Sequence, residues 1–412
     1  MQPEAGRLHS RPAVLDVAEL LNSAAADECL TLFRRERLIG TKEPDDPLTE
    51  DDRRSLISDL VVPFFEVVAA TGTLDPPQEA IEAAVRAYVD YDRADHEWTL
   101  LVPLLNLDAE SDTVDVGSFR IEKLTLTEKS ELWSPEPIIG QMLDFRHVYH
   151  TRRKLIHRGS HRGHPRQKIF TVANEVNQLV VAAKEVMTAL RLTNSGAVGA
   201  PLHIHRIGAH ALAGSMNEYR TNDDLAPERY VLRTTDEPML QTIHGHLRAL
   251  REASKLADLE VALRRFNLSY SRTTLEDELI DYSIALEATV LHGLREELRY
   301  RLAMRGAALL RASEPPVRVH LFLQKLYDVR SLIVHEGKRL VDAVKAKKVR
   351  LTPNDEPMAA DAFMREAERL VRATLVTYLG ALAAGADATL SSVNKELDVV
   401  LLNQLVPAGP TS

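Results

Sequence analysis

Apolar residues recur at helical spacing over most of the chain, and the period changes in one region. From Val14 to Arg37, Leu15, Ala18, Leu21, Ala25, Cys29, Leu32 and Phe33 mostly fall three or four apart, which predicts an amphipathic helix. A second helix is predicted to start at Thr49-Glu-Asp-Asp52, an N-cap followed by acids, with Leu56, Leu60, Val61, Phe64 and Val68 on its apolar face. A third runs from about Pro77 to Asp92. Strand formers then take over. Trp98 to Leu107, a polar break at Asp108 to Thr113, and an alternating run from Phe119 predict a β-hairpin or small sheet. Helical spacing returns from Phe170 to Leu192, and Pro201 to Ile207 reads as another strand, with Asn194-Ser-Gly196 and Gly199-Ala-Pro201 as turn punctuation. From Asp236 onward every apolar face has helical period: Leu240, Ile243, Leu247 and Leu250, then Leu279, Ile280, Ile284, Leu286 and Val290, then Leu294, Leu298, Leu302 and Leu309, then 358–384 and 391–405. The expected fold is mainly α with an α+β N-terminal region and a C-terminal helical bundle. Its expected divisions are a helical segment at 1–96, an α+β region at 97–237 and a helical domain at 238–412.

Composition narrows the class. At 412 residues the chain has room for two or three domains, and 45% hydrophobic with 27% charged residues is ordinary for a globular protein. The single cysteine, Cys29, excludes a disulfide within the chain and a Cys-based zinc site, and fits a reducing cytoplasm. Met-Gln-Pro-Glu-Ala-Gly6 lacks a signal-peptide pattern, and the apolar run Ala373 to Ala386, at 14 residues, is too short to span a bilayer. A cytoplasmic location without membrane attachment is expected. A net charge of −9 argues against a general nucleic-acid coat. Yet Arg146 to Lys168 holds six Arg, two Lys and five His with no acid. Arg146, Arg152, Arg153, Lys154, Arg158 and Arg162 are therefore candidate RNA contacts, the alternative being a solvated basic loop.

One stretch brings together residue types that carry chemistry: Tyr327-Asp-Val-Arg-Ser-Leu-Ile-Val-His-Glu-Gly337. Arg330 holds a fixed positive charge and His335 exchanges a proton near neutral pH, the pair that metal-free phosphoryl transfer needs. Leu332, Ile333 and Val334 between them predict a segment packed into a core. The helix should begin after Pro315-Pro316 and stop at Gly337, which puts His335 in its last turn. Positions five apart on a helix differ by about 140° around the axis, so Arg330 and His335 do not share a face. A site built from both needs a distorted helix end or a second copy of the helix. Glu287, in the apolar setting Ile284-Ala-Leu-Glu-Ala288, must be paired, either with Arg330 or with another arginine such as Arg295. Tyr327 and Asp328 lie within a turn of Arg330 and serve either packing and helix charge or the site itself. The bland alternative for the whole motif is a surface arginine near a capping histidine. His203-x-His205, His210 and His244-x-His246 lack carboxylates or cysteines at ligand spacing, so structural histidines are expected and no metal. There is no Walker loop, Rossmann glycine fingerprint or Gly-x-Ser-x-Gly elbow, and no cofactor is expected.

With Ala262-Leu-Arg-Arg-Phe266, Leu275-Glu-Asp-Glu-Leu-Ile-Asp281 and Ile284-Ala-Leu-Glu-Ala288 upstream, Arg330-x4-His335 resembles the Arg-x4–6-His hallmark of the HEPN superfamily. The pattern is similar to the Apea-like HEPN branch over about residues 240 to 385. The resemblance implies a helical bundle that forms a homodimer, with Arg330 and His335 as catalytic residues and Glu287, Tyr327 and Asp328 in support. It implies a metal-independent endoribonuclease acting on single-stranded or loop RNA, leaving 2′,3′-cyclic phosphate ends, in antiviral defence or stress response, with an antitoxin or regulatory partner. The alternative within the family is a non-catalytic sensor or adaptor that binds RNA or a nucleotide. This chain departs from the branch at Glu336, where a glycine usually follows the histidine; an acid there disfavours a bound phosphate. Tyr149-x-x-Arg152-x4-His157-x-Gly159 aligns with the motif position for position, but its flanks read as strand.

Overall fold

The computed structural model describes residues 98–123, 147–153, 165–207, 210–218, 229–351, 355–385 and 387–405, with the single position Glu79. The three helices expected before residue 97 otherwise lie outside the described residues. The chain divides into two compact units, 98–153 with 177–412, and 1–97 with 154–176. The larger unit holds the sheet and the helical C-terminal half.

The strands are β1 (Trp98–Leu104), β2 (Leu107–Ala109), β3 (Thr113–Val116), β4 (Phe119–Lys123), β5 (His147–Arg153), β6 (Ala200–Ile207), β7 (His210–Glu218) and β8 (Tyr230–Leu232), with helix α1 (Pro165–Thr193) between β5 and β6. Six of them form an antiparallel sheet in the order β3-β4-β5-β1-β6-β7, and β2 pairs in parallel with β8. The predicted hairpin or small sheet is thus a larger sheet. Its first hairpin is β3–β4, and β1 pairs instead with β5 and β6, partners more than 40 residues away that no local pattern announces. Period-2 burial holds on β3 and β4, where Val114, Val116, Phe119 and Ile121 are buried and Asp115 and Arg120 are exposed. The turn between them needs Gly117. Its φ is +62°, and a Cβ there would stand 2.5 Å from Cε1 of His244.

The helical half comprises α2 (Glu237–Glu252), α3 (Ala257–Ser269), α4 (Leu275–Val290), α5 (Leu298–Leu309), α6 (Pro316–Glu336), α7 (Leu340–Lys347), α8 (Ala360–Ala384) and α9 (Leu390–Leu405). With α1 these are nine helices among the described residues, and the fold is mainly α. The hydroxyl oxygen of Thr274 accepts from the backbone N–H of Asp277, capping α4, whose first turn carries Glu276, Asp277 and Glu278. Asp281 of α4 is fully buried and accepts hydrogen bonds from Arg265 on α3 and from Arg272. On α6, Val319, Phe322, Leu323, Leu326, Val329 and Ile333 recur at steps of one, three or four and are buried. Phe322 meets Phe363 of α8 at a ring separation of 5.1 Å. Close packing of α5 on α6 depends on Gly306, where a Cβ would lie 2.3 Å from Cδ1 of Leu323. Helix α9 is tied down by Arg305 to Asp398 and by Asn394, which meets the Tyr378 hydroxyl and donates to the carbonyl of Thr289.

The texture change at 237/238 separates mixed from all-helical chain, but it does not separate two packing units. One apolar core runs from Leu100, Val102 and Leu104 of β1 through Val186 and Leu190 of α1 to Leu240, Ile243 and Leu247 of α2 and on into α8. A buried polar joint crosses the same line. The guanidinium of Arg191, 0% exposed, donates to the carbonyl of Val198 and to Oδ1 of Asn267, and lies over the Tyr270 ring at 4.7 Å. Nε of Arg372 on α8 donates to the carbonyl of Arg191 at 2.8 Å. These buried guanidiniums are tolerated because they find acceptors, Arg191 at Val198 and Asn267, and Arg372 at Arg191, Tyr270 and Glu368. Among the described residues no helix is long and apolar enough to cross a membrane. The apolar run from Ala373 lies in α8, and its Leu375, Tyr378, Leu379 and Leu382 belong to the core.

Candidate functional site

Local chemistry sets both ends of α6. Pro315 and Pro316 start it without needing backbone donors, and Gly337, in the left-handed conformation at φ +64°, ends it as the sequence predicts. The N–H groups of Gly337 and Lys338 donate to the carbonyls of Ile333 and Leu332, closing the last turn. The helix is regular through Glu336, so no distortion brings Arg330 and His335 onto one face. His335 sits in the last turn and is exposed. Of the three apolar residues between them, Leu332 and Ile333 are buried, but Val334 is 44% exposed. The expectation that the whole interval is core is corrected here: Val334 falls on the outward arc of the helix, next to His335.

Helix α4 runs antiparallel to α6. Its Glu287 stands opposite Arg330, and its Glu276 accepts a hydrogen bond from the backbone N–H of Leu340 at 2.7 Å, capping α7. Of the two partners open to Glu287 from sequence, Arg330 is the one it meets. The closest approach is 3.8 Å, beyond hydrogen-bonding reach, with side chains 28% and 22% exposed. Burial pushes the Glu287 carboxyl above its ordinary value, and the Arg330 charge only partly opposes it. Nε of Arg330 is enclosed without a hydrogen-bond partner. Among the described residues the Arg330 side chain makes no hydrogen bond and meets one distant carboxylate, so any donor capacity for an anion lies in its Nη groups and not in the enclosed Nε.

The neighbours of Arg330 have simpler roles. Asp328 is bound by Arg299 of α5 at 2.7 Å, and Tyr327 packs against the core. Glu336 is exposed and accepts from Nζ of Lys338 at 2.9 Å. That hydrogen bond, with the charges of Lys338 and Lys347, holds the Glu336 carboxyl below the usual carboxylate range. Lys338 and Glu276 were not singled out from sequence. A lysine two residues from an acid across a glycine stop is a readable signal for the first, whereas the second requires the packing of α4 on α7.

The basic strip reaches the described residues only in part. Arg152 and Arg153 lie in β5, opposite Thr99 and Trp98 of β1, while Arg146, Lys154, Arg158 and Arg162 lie outside them. Tyr149 and Arg152 stand in extended, sheet-paired backbone, so this copy of the motif does not repeat the helical geometry of Tyr327 and Arg330. His203 is half-buried on β6, where burial and Lys184 lower its proton affinity. His244 is buried beneath Gly117, and burial with Arg248 and Arg251 does the same. Among the described residues no three His, Cys, Asp or Glu side chains gather as a metal site would require. No family model matches the chain, and neither a curated protein nor a solved structure matches it.

Proposed function

We propose that the chain is a metal-independent endoribonuclease of HEPN type that cleaves single-stranded or loop RNA, with Arg330 and His335 as its catalytic residues. What supports the reading most is the Arg330 guanidinium, half-buried 3.8 Å from Glu287 and outside hydrogen-bonding reach of it, five residues before an exposed His335. In the reaction the ribose 2′-oxygen attacks the adjacent phosphorus while His335 takes its proton. The bond to the 5′-oxygen breaks, that oxygen gains a proton, and a 2′,3′-cyclic phosphate remains. Arg330 neutralises the charge that grows on the phosphate oxygens. An unpaired strand is the substrate because in-line attack is hard to reach within a stacked A-form duplex. The regular helix holds the two side chains about 140° apart, so the reading requires a homodimer in which two copies of α6 face one another.

The test incubates purified protein with end-labelled RNA in EDTA. Cleavage to cyclic phosphate ends, lost in His335→Ala and in Arg330→Ala, is the expected result; no cleavage by the wild type sinks the nuclease reading. Only monomer by mass photometry at micromolar concentration removes its geometry. Glu336 favours a second reading, a non-catalytic HEPN module that binds RNA or a nucleotide, because an exposed carboxylate beside His335 works against a phosphate there. Tight binding without products separates the two.

A further inference from the structure

Directly after Gly337 the chain becomes basic. Residues 338–350 hold six lysines and arginines against one acid, Asp342, in a protein of net charge −9. Lys338, Arg339, Lys345 and Lys348 are exposed, and Lys347 is half-buried. Helix chemistry accounts for part of this. Lys345 and Lys347 occupy the last turn of α7, where the negative end of the dipole favours cations. Lys338 and Arg339 precede its first turn, at the positive end, where the same dipole disfavours them. The helix dipole therefore accounts for the cations at the second end and not for those at the first.

The fold brings the first of these ends to the candidate site, and the eight residues of α7 carry the second away from it by only about 12 Å at 1.5 Å per residue. The left-handed turn at Gly337 folds Lys338 back so that its ammonium holds Glu336, next to His335. Lys345, Lys347 and Lys348 follow within one short helix of that contact, and Lys345 and Lys348 are exposed. An ammonium has three donors, so Lys338 can keep Glu336 with one and offer the others to a phosphate oxygen. The acid that departs from the HEPN pattern is therefore compensated from within the chain.

We propose that Lys338, Arg339, Lys345, Lys347 and Lys348 form the grip on the phosphodiester backbone of single-stranded RNA as it crosses Arg330 and His335. The inference rests on the ribonuclease reading of that site and adds which surface holds the strand.

The test uses the full chain in a His335→Ala background, so that RNA stays intact, and follows the anisotropy of a fluorescein-labelled 12-nucleotide single strand across a salt series. The double charge reversal Lys345→Glu with Lys348→Glu, both at exposed positions, is compared with Arg248→Glu with Lys395→Glu, which changes net charge equally elsewhere. Thermal melts show whether each variant is folded. Binding should weaken by ~10-fold or more in the α7 variant, and its salt slope should fall by about 1.4, two phosphate contacts at about 0.7 each for a single strand. The control should stay within about twofold. An α7 variant that binds like its parent overturns the grip and leaves the ribonuclease reading standing. A parent that binds no RNA overturns both. Loss of binding in the α7 variant, with a wild type that cuts nothing, keeps the grip and removes the nuclease.

Discussion

Replacing Glu287 by Gln separates what this residue does for the fold from what it does for Arg330. The two meet at a single point, 3.8 Å apart, with side chains 28% and 22% exposed. A pair of that geometry contributes about 0–1 kcal/mol. Burial raises the Glu287 carboxyl in spite of Arg330, so the desolvation cost is at least as large as the attraction. Gln keeps the shape and removes the charge. The stability change should therefore lie within about 1 kcal/mol of zero, a shift in Tm of under about 4 °C. The pH dependence has a definite sign. A folded-state proton affinity above the ordinary value of 4.5 means that the folded chain holds the proton more tightly than the unfolded one. Wild-type stability from this group is present below pH 4.5 and is lost as pH rises through the raised value. The Gln variant lacks that decline, so its advantage over wild type grows with pH across the window. On the ribonuclease proposal, RNA cleavage should fall by about 5-fold, mostly in kcat, because an attraction of at most about 1 kcal/mol is what holds the angle of the guanidinium. Calorimetry across pH and single-turnover cleavage measure the two effects. Wild-type cleavage by Glu287→Gln would refute the positioning role. A loss above about 3 kcal/mol would show instead that the carboxylate supports the fold.

His335→Ala should abolish cleavage while moving stability by less than about 0.5 kcal/mol, since the ring is exposed; a large drop in Tm would mean the histidine is structural. Asp281→Ala should cost about 3 kcal/mol in denaturant titration, because a fully buried carboxylate is removed from two arginines; a loss under about 1 kcal/mol would show that Arg265 and Arg272 reach water at no cost. Gly337→Ala meets nothing within 4 Å yet must adopt φ +64°, so its cost should be about 1–2 kcal/mol and purely conformational; Gly337→Asn should recover much of it. Asp328→Asn breaks a pair with Arg299 whose side chain is 46% exposed, and should leave cleavage within a few-fold of wild type; abolition would assign Asp328 to the chemistry.

What could be read from the chain follows the range of the forces involved. Helix α6 was legible at both ends because Pro315, Pro316 and Gly337 act on their own backbone. The apolar faces of α2 and α4 were legible because three- and four-residue spacing is local; Leu240, Ile243, Leu247 and Leu250 are all buried. Val334 misled because an apolar side chain at a helix end reports hydrophobicity but not which arc faces the bundle. The pairing of β1 with β5 and β6 was not legible, since register across such separations depends on the whole sheet. Nor was the choice of Arg330 over Arg295 by Glu287, which the antiparallel course of α4 and α6 decides. The continuous core across 237/238 was hidden for a similar reason. Arg191 reads as one more helical arginine until Asn267, Tyr270 and Arg372 close around it.

The hydrogen bond from Arg372 to the carbonyl of Arg191 spans 181 residues, and that distance has a consequence for how the protein is made. At about 5–20 residues per second on the ribosome, the wait between the two residues emerging is about 9–36 s. Throughout that interval the core to which Val186 and Leu190 belong lacks every side chain that α8 supplies, so the nascent chain presents a greasy seam to whatever chaperone stands at the exit. Release of a chain stopped short of residue 372 should therefore send it to the pellet rather than the supernatant, however well its sheet has formed.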